Sequence, residues 1–103
     1  MRVLMKVSIP VEDGNRAARA GKLEETIKAI LAEQKPEAVY FMTDNGKRTG
    51  LIFLNMQDSA EIPKFAEPWF LAFNAGIEMD PVMALEDLSN SVQAIESAVK
   101  KYG

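Results

Sequence analysis

Hydrophobic and polar positions alternate with a period of two at the start of the chain, where Val3, Met5, Val7 and Ile9 interleave with Arg2, Leu4, Lys6 and Ser8. This spacing predicts a strand over Arg2 to Pro10 with one wholly apolar face. The period then lengthens. Ala20, Leu23, Ile27, Ile30, Leu31 and Gln34 recur at helical spacing after a loop, Glu12-Asp13-Gly14-Asn15, whose Asn15 is placed to cap the helix. Gly21 weakens the first turns, so the secure helix begins near Lys22. Lys35-Pro36 ends it, because proline disfavours helical geometry in the residue before it.

Ala38 to Thr43 is rich in strand formers, and Thr49 to Met56 reads as its returning partner. Between them lies Asp44-Asn45-Gly46-Lys47, and Asn-Gly flanked by two such runs is a strong hairpin signal. Asp58 or Ser59 then caps a helix that carries Phe65, Trp69, Phe70 and Phe73. Pro68 lies inside it and removes a backbone donor, which predicts a kink or a restart with Glu67 and Pro68 at the new N-terminus. Asn74-Ala75-Gly76 closes this helix, and Ile77 to Met83 forms a last strand that Pro81 assigns to a sheet edge or a bulge. Leu88, Val92, Ile95, Val99 and Tyr102 then mark one amphipathic helix ending in Lys100-Lys101.

The order β-α-β-β-α-β-α predicts an α+β fold over residues 1–103 as a single domain. A split βαβ used twice gives a ferredoxin-like sandwich, with one antiparallel sheet in the order 4-1-3-2, helices on one face and an extra C-terminal helix. The second sheet face is mixed: Leu4, Lys6, Ser8, Tyr40, Met42, Leu51, Phe53, Asn55, Glu78, Asp80 and Val82. Its apolar members would leave a patch larger than soluble monomers normally expose. The C-terminal helix is one candidate cover. A second copy of the chain is the better one, since two such faces can close a shared barrel-like core.

Composition narrows the chemistry. The 103 residues contain no cysteine and no histidine, which excludes disulfides, thiolate nucleophiles, Cys-based metal sites and any Ser-His-Asp or Cys-His machinery. The net charge of −3 argues against nucleic-acid binding. The longest strictly apolar runs, Leu51 to Leu54 and Trp69 to Phe73, are far short of a membrane span. Without an export signal or cysteine, the cytoplasm is the expected location, and no cofactor is called for.

The βαββαβ order, the length, the extra helix and the half-polar sheet face resemble the dimeric α+β barrel superfamily. That group includes small cofactor-free monooxygenases, muconolactone-isomerase-like proteins and stress-responsive barrel proteins. More narrowly, Lys35-Pro-Glu-Ala-Val-Tyr-Phe41, Arg48-Thr-Gly50 and Ala66-Glu-Pro-Trp-Phe-Leu-Ala-Phe-Asn-Ala75 look like a family of small bacterial proteins of unknown function. The superfamily resemblance implies a homodimer and a pocket between sheet and helices, and it carries no catalytic motif. Any barrel chemistry that uses a histidine is unavailable to this chain.

Two groups of residues are candidates for ligand binding. Trp69 and Phe73 belong to the densest aromatic cluster, either as a core-facing stripe or as the wall of a small-molecule cavity opened by the Pro68 kink. Lys6, Tyr40, Asn55, Glu78 and Asp80 converge on the mixed sheet face, with Glu78 or Asp80 as the expected partner of Lys6 and Asn55 or Tyr40 adding a polar contact. The plain reading of this second group is a salt bridge within a dimer interface. The chemical one is that burial lowers a lysine pKa or raises a carboxylate pKa, giving acid and base groups without histidine. Glu78 and Asp80 alone make a weak metal-site signal, and none is expected. Arg16, Arg19 and Lys22 form a basic stripe best read as a solvated face.

Two functions follow as expectations. The first is a small-molecule-binding homodimer of open specificity, with a cofactor-free enzyme acting on an apolar or aromatic metabolite as its catalytic form. The second is a non-catalytic interaction module whose mixed face is only a dimer interface.

Overall fold

A computed structural model describes residues 1–103. Four strands form one antiparallel sheet: β1 (Arg2–Ile9), β2 (Ala38–Asp44), β3 (Lys47–Asn55) and β4 (Gly76–Pro81). Their order, β2-β3-β1-β4, is the expected 4-1-3-2 arrangement read from the other edge. Five helices accompany the sheet: α1 (Val11–Arg19), α2 (Leu23–Gln34), α3 (Ile62–Phe73), α4 (Leu85–Ser89) and α5 (Val92–Tyr102). The molecule is therefore α+β, with the element order of a ferredoxin-like fold.

Register explains the core. Met5 lies opposite Ile52 on one side and Met79 on the other, and Val3 lies opposite Leu54 and Pro81. Side chains alternate across a strand, so this pairing sends Val3, Met5, Val7, Ile9, Ile52 and Leu54 to the same face. There they pack with Ile30 of α2 and with Phe65, Trp69 and Phe73 of α3.

Local chemistry sets the element ends. Asn45 and Gly46 both have positive φ, 51° and 73°, as a two-residue hairpin turn of the I′ type requires. Lys35 ends α2 and Asn74 ends α3 in the left-handed conformation. Asp58 caps the short 3₁₀ turn before α3, its carboxylate accepting from the Ala60 N–H at 2.7 Å.

Three sequence expectations need correction. The 12–15 segment is not a loop: α1 begins at Val11 behind Pro10, and Glu12 and Asp13 occupy its first turn, where they favour the helix dipole. Asn15 is therefore not a cap; its Oδ1 accepts from Arg48 Nη2 at 3.1 Å, tying α1 to β3. Gly21, at φ 69°, separates α1 from α2. Second, α3 runs through Pro68 without a restart, so Glu67 does not begin a new helix. Burial of Phe65, Ala66, Trp69 and Phe73 on both sides of the proline holds the segment helical despite the lost donor. Third, the C-terminal helix is broken at Asn90-Ser91 into α4 and α5. Hydroxyl bonds from Ser89 to the Leu85 carbonyl and from Ser91 to the Asp87 carbonyl compete locally with helix continuation.

The core contains one polar tie. Gln34, at the end of α2, donates from Nε2 to the Phe65 carbonyl at 2.8 Å, and its Oε1 accepts from Trp69 Nε1 at 3.1 Å. Trp69 is 1% exposed and stacks on Phe73 with ring centroids 6.2 Å apart. Every buried side-chain polar atom has a partner. Replacing Gln34 by Leu strands the indole N–H in an apolar interior, and we predict a loss of ~1–3 kcal/mol in urea unfolding. Trp69→Phe should cost a comparable amount alone but less in the Gln34→Leu background, because the two share one bond. Additive losses would show that the tie carries no energy of its own.

Candidate functional site

The face of the sheet opposite the helices is uncovered within the chain. Strand alternation and register arrange it in rows. Ala38, Phe53, Leu4 and Asp80 form one row across β2, β3, β1 and β4. Tyr40, Leu51, Lys6 and Glu78 form the next, and Met42, Thr49, Ser8 and Gly76 the third. The Tyr40 ring meets Phe53 edge-on at 6.5 Å and is 63% exposed. Met42 is also exposed, while Leu4, Leu51 and Phe53 are half-buried. The face thus has an apolar centre and an acidic margin along β4.

At the hairpin end it becomes polar. Lys6 pairs with Asp44 at 2.6 Å, and both side chains are about one-third exposed. This corrects the expectation that Glu78 or Asp80 would hold the ammonium. Lys6 lies on β1 and Asp44 at the end of β2, so the pair spans β3 above Thr49, an open-face residue that is nevertheless buried. A cavity of about 330 Å³ opens beside the pair, lined by Lys6, Ser8, Asp44, Asn45, Lys47 and Glu78 together with Gly76 and Ile77 of β4. Its four charged side chains are two cations and two carboxylates.

The Asp44 carboxylate accepts a hydrogen bond from the Lys6 ammonium and is the main reason its pKa lies above the ordinary lysine value. Partial burial opposes this shift, and the charges of Asp44 and Glu78 add to it. The direction is opposite to the lowered pKa that a lysine base at neutral pH requires.

The other candidates are dispersed. Glu78 is the cross-strand neighbour of Lys6, whereas Asp80 is opposite Leu4. Asn55 is opposite Arg2, and its Oδ1 accepts from the N-terminal ammonium at 3.2 Å, so it makes no contact with Lys6. Tyr40 shares the Lys6 row but sits beyond Leu51. Trp69 and Phe73 lie in the core on the opposite face, and no cavity is lined by either. In the basic stripe, Arg16 pairs with Asp13 and Lys22 with Glu25. No three His, Cys, Asp or Glu side chains gather as a metal site. Sequence reasoning missed Asp44 and Lys47 as site residues, although both flank the Asn-Gly turn and were visible as hairpin ends.

Comparison with known proteins finds no matching family model and no matching curated relative. No helix is long and apolar enough to cross a membrane.

Titration tests the geometry of the pair. Because the folded pKa of Lys6 is raised, its contribution to stability is present at neutral pH, below the unfolded value of about 10.4, and fades as pH rises through the elevated midpoint. Followed by NMR at the Lys6 side chain, Asp44→Asn should lower the midpoint towards the ordinary value. Glu78→Gln should lower it less. Equal effects would mean that Asp44 is not the principal partner.

Proposed function

We propose that the protein is a homodimer that binds a small molecule on the open sheet face. The observation that carries this reading is the pairing of an uncovered apolar surface, Leu4, Tyr40, Leu51 and Phe53, with a polar cavity around Lys6 and Lys47 on the same side of the sheet. A second copy laid over the face would exclude water from the apolar centre and enclose the cavity. The ligand this suits has an apolar or aromatic body for the centre and a carboxylate or carbonyl for the two lysines. Lys6 acts there as a fixed cationic anchor, with its orientation held by Asp44.

A second reading has its own support. The cavity is balanced in charge, Lys6 is already satisfied by Asp44, and the aromatic cluster of Trp69 and Phe73 fills the core. On this reading the open face is only an interface, and the protein is a non-catalytic interaction module.

Sedimentation at micromolar concentration separates a dimer from a monomer, and the expected mass is twice that of the 11.4 kDa chain. Binding is tested by native mass spectrometry and thermal shift against small aromatic carboxylates and ketones, including benzoate, phenylacetate and acetophenone. Lys6→Met keeps the apolar stem and removes the charge, so affinity for the best carboxylate should fall tenfold or more, about 1.4 kcal/mol. A dimer that takes up none of these compounds favours the interaction module, and a monomer rejects both readings.

A further inference from the structure

The chain leaves a second apolar surface without a partner. On the α4–α5 arm, Leu88, Val92, Ile95, Val99 and Tyr102 are all exposed, from 43% at Leu88 to 79% at Tyr102. Within α5, the spacings of three, four and three residues place Val92, Ile95, Val99 and Tyr102 on one stripe, the pattern of a helix that packs against another layer, while Leu88 lies on α4 before the Asn90-Ser91 break. The molecule measures 59 × 27 × 21 Å with a radius of gyration of 17.2 Å, against about 13 Å for a compact chain of this length. The arm projects away from the body.

The two bare surfaces fit each other. The 11 residues of α5 make a rod about 16 Å long, which lies within the length of strands of eight or nine residues at ~3.4 Å each. The open sheet face is apolar at its centre, as the stripe is. Glu78 and Asp80 leave its β4 margin acidic and are in no ion pair, while α5 ends in Lys100 and Lys101, which are also unpaired within the chain. The arm also starts on the correct side. Beyond β4 the Val82 N–H donates to the Arg2 carbonyl at 3.1 Å, and α4 stands next to Arg2, an open-face residue, across a cleft of about 590 Å³.

We infer that the dimer is made by reciprocal exchange of this arm: α5 of each chain lies on the open sheet face of the other. The occupant of each open face is thus a second copy of this chain, and the partner's stripe becomes the roof over the Lys6 cavity. The interface is isologous, since both copies give an arm and receive one. This inference rests on the homodimer reading above and specifies the element that builds it.

The test combines disruption with mapping. In Ile95→Glu/Val99→Glu the stripe carries two charges into the apolar contact, and the dimer dissociation constant from sedimentation should rise by about 100-fold or more. Far-UV circular dichroism checks that the body remains folded. Separately, a photoreactive residue in place of Ile95 is irradiated in dimers assembled from equal amounts of ¹⁴N and ¹⁵N chains. The expected cross-links join chains of different isotope, at peptides containing Leu4, Leu51 or Phe53. If the native chain sediments as a monomer, the homodimer reading and this inference both fail. If the native chain is a dimer but the double variant dimerises as tightly, or the cross-links stay within one chain or fall elsewhere, the arm exchange is overturned and the dimer reading stands.

Discussion

A single register, Met5 opposite both Ile52 and Met79, controls the rest of the molecule. It assigns each strand residue to one of two faces, because side chains alternate and a slip of one position would exchange the whole set. In this register the helix-facing side receives the apolar run of β1 and β3, and α2 and α3 have a surface to pack against. The same choice sends Leu4, Lys6, Tyr40, Leu51, Phe53 and Glu78 to the other side. The core and the open face are therefore two results of one constraint, and neither could change without the other.

Within the core, two devices fix how the helices sit on the sheet. Gln34 joins the end of α2 to two points on α3, which limits sliding of one helix along the other. Arg48 does the corresponding work for α1. Its guanidinium lies so close to Gly14 that a Cβ there would come within 2.5 Å of Nη1, and it also donates to Asn15. A glycine inside a helix costs about 1 kcal/mol relative to alanine. Here its bare surface admits a side chain from β3 beneath α1.

The fold was readable from the chain because its signals are local and repeated. The period of two in β1, the Asn-Gly turn and the helix stops at Lys35-Pro36 and Asn74-Ala75-Gly76 each stand in a few consecutive residues. Sheet order followed from the element sequence, and the face assignment of Lys6, Tyr40, Leu51, Glu78 and Asp80 followed from alternation. What could not be read depends on tertiary balance. Pro68 stays inside α3 because core burial outweighs a local penalty, and Pro10-Val11-Glu12-Asp13 starts a helix where Gly14 and Asn15 suggested a loop. The Lys6 partner escaped for a geometric reason. Cross-strand neighbours are the natural first choice, and Glu78 occupies that position, but a lysine is long enough to cross β3 and meet Asp44 two strands away.

That reach has a chemical consequence. In a chain without histidine or cysteine, Lys6 is the obvious residue for neutral-pH proton transfer, provided that its surroundings destabilise the cation. They do the reverse: Asp44 bonds to the ammonium, and Glu78 adds a second negative charge nearby. Both hold the proton on, so the free amine is scarce at neutral pH and a base mechanism lacks its base. The same features suit another task. A cation that stays charged and is held in one orientation offers a ligand carbonyl or carboxylate a pre-set electrostatic partner, with little ordering cost on binding. On the ligand-binding reading proposed above, the open face would hold a polar group in place, and Lys6 would serve there as a cation and not as a base.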